Sequence, residues 1–282
     1  MSAPEFNPFN PEFRAHPYPF YDALRTHEPV HTTEFGMVVL TRYDDVSTTL
    51  KSADFSRDID KYSTQATTQA RQRRREMQRE RTKSILNLDP PDHTRLRRIV
   101  SKSFTPSAME RLRGRIQQLV DTVLDAAHER GSIELIDDLA FPVPFQVISD
   151  LLAMPTERAE EMREWSQIIT NSLEPTATDE ELAQSDAAVA QLVPYLTSII
   201  EERRKNLGDD MLSSLITAEE AGDKMTTEEL MAFLVLLYIA GHETTVNLIG
   251  NSTLALLRHP DQAALVHQHG LNSQAIDELL RF

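Results

Sequence analysis

The sequence predicts a mainly α protein with a small β-sheet, and three observations carry this. Leu, Ala, Glu, Gln and Arg, all good helix formers, are abundant, while glycine occurs only 8 times in 282 residues. From Asp89 onward, apolar residues recur at three- and four-residue spacing in one segment after another, bounded by capping residues, Gly or Pro. β-type alternation is confined to a short stretch before residue 42.

The elements follow in order. Residues 1–15 are rich in Pro and Asn and read as an extended arm. A short helix covers Tyr18–His27. Val30–Thr33 and Met37–Thr41 flank Glu34-Phe35-Gly36 and form a hairpin. Asp44–Ser52 is a helix. Residues 53–88 are polar, with Arg71, Arg73, Arg74, Arg75, Arg79 and Arg81 at their centre. Glutamates interrupt that run and the chain is acidic, so a solvated surface loop is preferred to a nucleic-acid patch. Asp89-Pro90-Pro91-Asp92 reads as a helix start, with Asp89 as N-cap and Pro90 at the first helical position of a helix Pro90–Phe104. Pro106–Arg130 is a long amphipathic helix stopped by Gly131. Phe145–Met154 is apolar and closed by Pro155. Helical patterns continue over Glu157–Asn171, Glu180–Leu207, Asp210–Ala221 and Thr226–Arg258. Asn272 or Ser273 caps a last helix that is still amphipathic at Phe282. It meets no Gly, Asn or Pro stop signal, which points to a truncated sequence. No repeat and no linker divides the chain, so one partial domain is expected, with arm and hairpin at 1–42 and a helical body at 43–282.

Composition excludes several functions. Hydrophobic residues make up 40% and charged residues 26%, as in soluble globular proteins. A net charge of −15 makes nucleic acid a poor partner. There is no cysteine, which rules out disulfides, CxxC redox chemistry, thiolate zinc sites and a cysteine nucleophile within these residues. The N-terminus lacks a charged segment followed by an apolar one, so it is not a secretory signal. The longest unbroken apolar run, Leu230 to Ala240, is too short to span a bilayer. A cytoplasmic protein without membrane contact is expected.

The longest helix carries the most informative interruption. Thr226 and Glu229 offer a capping box at its start. Its apolar character on all sides predicts burial in the middle of the globule. Within it sits Ala240-Gly241-His242-Glu243-Thr244-Thr245, whose polar groups cost energy unless partnered. Phe233, Leu237, Ala240, Gly241, Thr244 and Leu248 share one face at 100° per residue. Either something approaches the backbone there and meets the hydroxyl, or the helix is kinked by threonines bonding back to carbonyls one turn earlier. His242-Glu243 begins an HExxH zinc motif, but Val246 stands where the second histidine is needed, so no metal set is expected.

On the helix after Asp89, His93 and Arg97 stand at i, i+4 toward the apolar side. Arg95, Arg98 and Lys102 group on the outward face. An inward Arg wants an anion, which is either a carboxylate of another helix or a bound ligand.

Taken together, these segments resemble the bacterial members of the cytochrome P-450 family over essentially the whole chain. The resemblance rests on His16-Pro17-Tyr18-Pro19, Thr41-Arg42-Tyr43-Asp44-Asp45-Val46, Asp89-Pro90-Pro91-Asp92-His93-Thr94-Arg95-Leu96-Arg97-Arg98 and Phe104-Thr105-Pro106. Ala240-Gly241-His242-Glu243-Thr244-Thr245 and Glu278-Leu279-Leu280-Arg281 complete it. It implies an incomplete P-450 fold and a haem-dependent monooxygenase that hydroxylates or epoxidises an apolar molecule with O2. His93 and Arg97 match positions that hold a propionate of heme b. Ala240, Gly241 and Thr244 match the stretch that crosses the haem. Glu243 and Thr244 match the acid–alcohol pair that delivers protons to bound oxygen. Glu278 and Arg281 match a structural ion pair. The resemblance also implies a ferredoxin-type redox partner, received at Arg95, Arg98 and Lys102. The cysteine ligand of the iron is absent from this chain, so the isolated 282 residues are expected to be inactive. The alternative is a non-catalytic helical fragment or degenerate binding scaffold.

Overall fold

The computed structural model describes residues 6–33, 36–58, 61, 83–155, 157–174, 177–218 and 225–281. The arginine-rich centre of the polar stretch and the Glu34-Phe35 part of the hairpin turn lie outside them. The chain forms two compact units, Met1–Thr94 with Asn171–Gln184, and Arg95–Thr170 with Ser185–Phe282.

The first unit begins with a short helix, α1 (Pro11–Ala15), where an extended arm was expected. Asn10 explains it, because its side chain accepts from the Glu12 amide and Pro11 occupies the first turn. Phe13 on α1 anchors the segment, with Phe6, Phe20 and Tyr21 packed around it at ring-centroid distances of 5.2, 5.1 and 5.5 Å. Helix α2 (Tyr18–His27) is followed by strands β1 (Val30–Thr32) and β2 (Val38–Leu40). They pair antiparallel, with Val30 opposite Leu40 and Thr32 opposite Val38. Gly36 sits in their turn at φ 75°, a conformation glycine adopts without a Cβ clash. Helix α3 (Tyr43–Lys51) completes this part.

Asp89 does not cap the next helix. Its carboxylate accepts instead from Ser56 Oγ (2.5 Å), the Arg57 amide (2.9 Å) and Lys61 Nζ (2.7 Å). These donors hold its pKa well below the usual carboxylate range. Lys83 and Asp58 pair beside them at 2.5 Å. Helix α4 (Asp92–Ser101) therefore starts two residues later than expected.

In the second unit, α5 (Pro106–Arg130) matches its expected limits. A π-helix at Leu135–Ala140 was not expected. Pro142 has no N–H to continue a regular ladder, and the Phe141 amide reaches five residues back to Ile136 O (2.9 Å). Glu134 caps the π-helix start by accepting from the Ile136 and Asp137 amides. Helix α6 (Pro142–Leu151) follows, then α7 (Ala159–Asn171), α8 (Asp179–Lys205) and α9 (Met211–Ala218).

Helix α10 (Thr227–Arg258) has the expected capping box. Thr226 Oγ1 accepts from the Glu229 amide, and the Glu229 carboxylate accepts from the Thr226 amide. It is long and apolar enough to cross a bilayer by length and composition, so the limit drawn from its longest unbroken run does not hold for the whole helix. Nor is it buried all round. Leu230, Phe233, Leu234, Tyr238, Ile239, His242 and Val246 are buried, while Ala240 and Thr244 are exposed. It packs on α6, the π-helix and two C-terminal helices, α11 (Pro260–His269) and α12 (Ser273–Arg281). Asn272 caps α12 through the Ala275 amide, as expected.

At Gly241, Ile148 of α6 packs directly against α10. A Cβ at this position would stand 3.0 Å from Ile148 Cδ1. Gly241→Ala is expected to be near neutral, since a gain of about 1 kcal/mol in helix propensity offsets the displacement of one methyl. Gly241→Val is expected to cost about 1–3 kcal/mol by overpacking, measured by urea denaturation.

Candidate functional site

The middle of α10 presents two different sides. On one, His242 is 1% exposed and its Nδ1 lies 2.7 Å from Tyr238 O. Its ring meets Phe141 and Phe145 edge-on, at centroid distances of 5.6 and 6.0 Å. Burial pushes its pKa below 6.5. This histidine is a packing group of the interior, turned toward α6.

On the other side stand Ala240 and Thr244, both exposed, with Leu237 and Leu248 half-buried. Thr244 Oγ1 donates to Ala240 O at 2.8 Å, and Thr245 Oγ1 to Gly241 O at 3.4 Å. The threonines do bond back one turn. A hydroxyl that donates to a carbonyl keeps its own oxygen as an acceptor, so Thr244 remains able to receive a hydrogen bond on the exposed side. Gly241 is half-buried, and the space beside it on the α6 side is taken by Ile148. Glu243 is half-buried, and its carboxylate has no hydrogen bond or ion pair among the described residues.

Helix α4 distributes its cations differently from the expectation. Arg95 is not an outward cation. Its Nη1 and Nη2 grip the Glu229 carboxylate in a bidentate pair, the Nη1 bond at 3.2 Å, with side chains 29% and 13% exposed. One carboxylate thus closes the α10 capping box and ties α4 to α10. Arg98 and Lys102 are exposed. Arg97 is exposed too, and its guanidinium has no partner among the described residues. His93, one turn earlier on the same helix, is half-buried and its imidazole likewise has no partner among them.

Glu278 and Arg281 form the expected ion pair on α12, bidentate at 2.6 and 3.0 Å and exposed to solvent. Asp137, Asp138 and Glu161 pair with Arg163, Arg130 and Arg158 respectively. No group of acids and histidines able to hold a metal ion occurs among the described residues. The double duty of Glu229 was missed in the sequence. The capping box was legible, but a partner 134 residues away leaves no local signal.

The chain matches the family model for cytochrome P450 over residues 25–269. It is 42% identical over 249 residues to Cytochrome P450 107B1 of Saccharopolyspora erythraea, covering 86% of this chain and 59% of that protein. It is 39% identical over 279 residues to the Vitamin D(3) 25-hydroxylase of Pseudonocardia autotrophica, covering 97% and 66%. The crystal structure of the myxobacterial cytochrome P450 CYP267B1 in complex with myristic acid superposes with a TM-score of 0.85 at 36% identity, over 97% of this chain and 68% of that one. The likeness in fold, a mostly helical protein with a small antiparallel sheet, extends over nearly all of this chain. The chain belongs to the cytochrome P450 family, whose members are haem-binding monooxygenases. It spans 59% and 66% of the two curated relatives' own lengths.

Two outcomes test this geometry. Glu229→Gln keeps the capping box, since Gln serves at that position, but loses the charge opposite Arg95. It is expected to cost roughly 1–3 kcal/mol by urea denaturation, whereas a surface pair would cost almost nothing. For His242, the folded state binds fewer protons than the unfolded state between its depressed pKa and 6.5. Its contribution is therefore complete above pH 6.5 and falls as pH drops through that value. Thermal unfolding between pH 7.5 and 5.5 should show a steeper loss for the unmodified chain than for His242→Phe.

Proposed function

We propose that these residues are part of a cytoplasmic haem-dependent monooxygenase domain that hydroxylates or epoxidises an apolar organic molecule, using O2 and electrons from a ferredoxin-type partner. The observation that carries this is the exposed Ala240/Thr244 face of α10, beside an unpaired Glu243, on a helix clamped to α4. The residues present fit a haem. Its carboxylate-bearing edge calls for unpaired donors, and Arg97 and His93 have them to offer. Its flat apolar body calls for small side chains, which Ala240 provides.

Heme b, with a cysteine thiolate from outside these 282 residues on its iron, would supply O2 activation, the thiolate favouring O–O cleavage. Ala240 leaves room along the helix for that group, whereas Gly241 gives its space to Ile148 of α6. Glu243, half-buried, and Thr244, whose hydroxyl oxygen stays able to accept on the exposed side, would relay protons to that group. Half-buried Leu237 and Leu248 restrict water on the same face. The Glu278–Arg281 pair stiffens α12, which packs on α10. Arg98 and Lys102 receive the acidic redox partner. Arg95, engaged with Glu229, acts as a brace rather than a docking cation.

For the 282 residues taken alone, the absence of cysteine favours the second reading, a non-catalytic helical scaffold. The test of the first is Thr244→Ala in the protein that carries the thiolate. Product formed per electron consumed should fall by about tenfold or more, with peroxide appearing in its place. An unchanged ratio would remove Thr244 from proton delivery.

A further inference from the structure

Helix α10 is gripped at its first turn by two arginines from other helices of the second unit. Arg204 of α8 donates from Nη2 to Thr227 Oγ1 at 3.2 Å. Arg95 of α4 closes both arms of its guanidinium on the Glu229 carboxylate. The two grips differ in kind. The first is one exposed bond. The second is a forked ion pair between side chains 29% and 13% exposed, and two parallel bonds fix orientation as well as distance.

Helix α4 has no broad packing face on α10, whose neighbours are α6, the π-helix, α11 and α12. Its own apolar side is buried through Leu96, Ile99 and Val100. Burial of apolar surface is non-directional, so it sets the depth of a short helix better than its rotation. The Arg95 fork constrains the rotation. Arg97 depends on that constraint. It stands two residues after Arg95, about 200° further round the helix. It is exposed, and its guanidinium has no partner among the described residues, so no bond of its own fixes where it points.

We propose, resting on the reading of Arg97 as the partner of a haem carboxylate, that Arg95 and Glu229 are its positioning residues. They act through Arg97, by fixing the rotation of α4 and with it the direction in which that guanidinium is offered.

Haem loss from the protein that carries the thiolate, followed as transfer to an excess of a haem-scavenging apoprotein, tests this. Arg97→Gln should speed the loss by about tenfold or more, as removal of a charged hydrogen bond does. Arg95→Lys keeps the charge and gives up the fork, and should speed it by about fivefold. Glu229→Gln keeps the capping box and should act in the same direction. On the Arg97→Gln background neither change should add anything, because both act through Arg97. Arg204→Gln removes a different bond to the same helix start and should leave the loss at the parent rate. Arg95→Lys and Glu229→Gln at the parent rate, with Arg97→Gln fast, would overturn the positioning role and leave the reading of Arg97 standing. Arg97→Gln at the parent rate would overturn that reading, and the proposal with it. Accelerations that multiply in the double variants, or an equal acceleration by Arg204→Gln, would show general loosening and sink the proposal.

Discussion

The rotation of α10 about its own axis decides what the site can present, and that rotation is set by its seat on α6. Gly241 lets Ile148 come to the distance at which a side chain would collide. His242 fills the space between Phe141 and Phe145, and Tyr238 closes the cluster one turn away. A helix turned by one residue would drive the Glu243 carboxylate into this aromatic pocket and expose the imidazole that belongs there. Desolvating an unpaired carboxylate costs far more than any surface contact returns. With that side settled, Ala240 and Thr244 have only one direction left to face.

Much of the fold was legible because local chemistry dictates it. Thr226 and Glu229 announce the α10 start, Gly131 marks the α5 stop, and Asn272 caps α12 as its residue type promises. The misses share one cause, in that a residue's local role was overridden by a distant partner or by its chain neighbours. Asp89 looks like an N-cap but is taken by Ser56, Arg57 and Lys61. The residues directly after Arg258 were given no element, yet Pro260, at home in a first turn, opens α11. A π-helix stands directly before the helix that Pro142 opens, where the Phe141 amide reaches five residues back to Ile136 O. The site followed the same pattern. The glycine–acid–threonine stretch was visible in the sequence, but which of its members turn inward depends on α6.

Arg95 illustrates why charge groups on a helical wheel mislead. Arg95, Arg98 and Lys102 share an outward face by angle alone. The wheel cannot see that a neighbouring helix begins beside α4 with a glutamate at its third position. Arginine suits this place because its planar fork meets both carboxylate oxygens at once, which a lysine cannot do. The joint connects the helix of Arg97 to the helix of Thr244 through a single shared anion, and the two helices are placed relative to each other before any ligand enters.

The Asp89 cluster has a consequence of another kind. Ser56, Arg57 and Lys61 converge on Asp89, and Lys83 returns to Asp58, so both feet of the residues between 61 and 83 are pinned at one spot. These bonds hold Lys61 and Lys83 through partners on either side, so the placement of Asp89 does not depend on the sequence between them. Evolution can rewrite what lies between the feet while leaving the start of α4, and with it His93 and Arg97, where they stand. Protein engineers can graft there on the same terms.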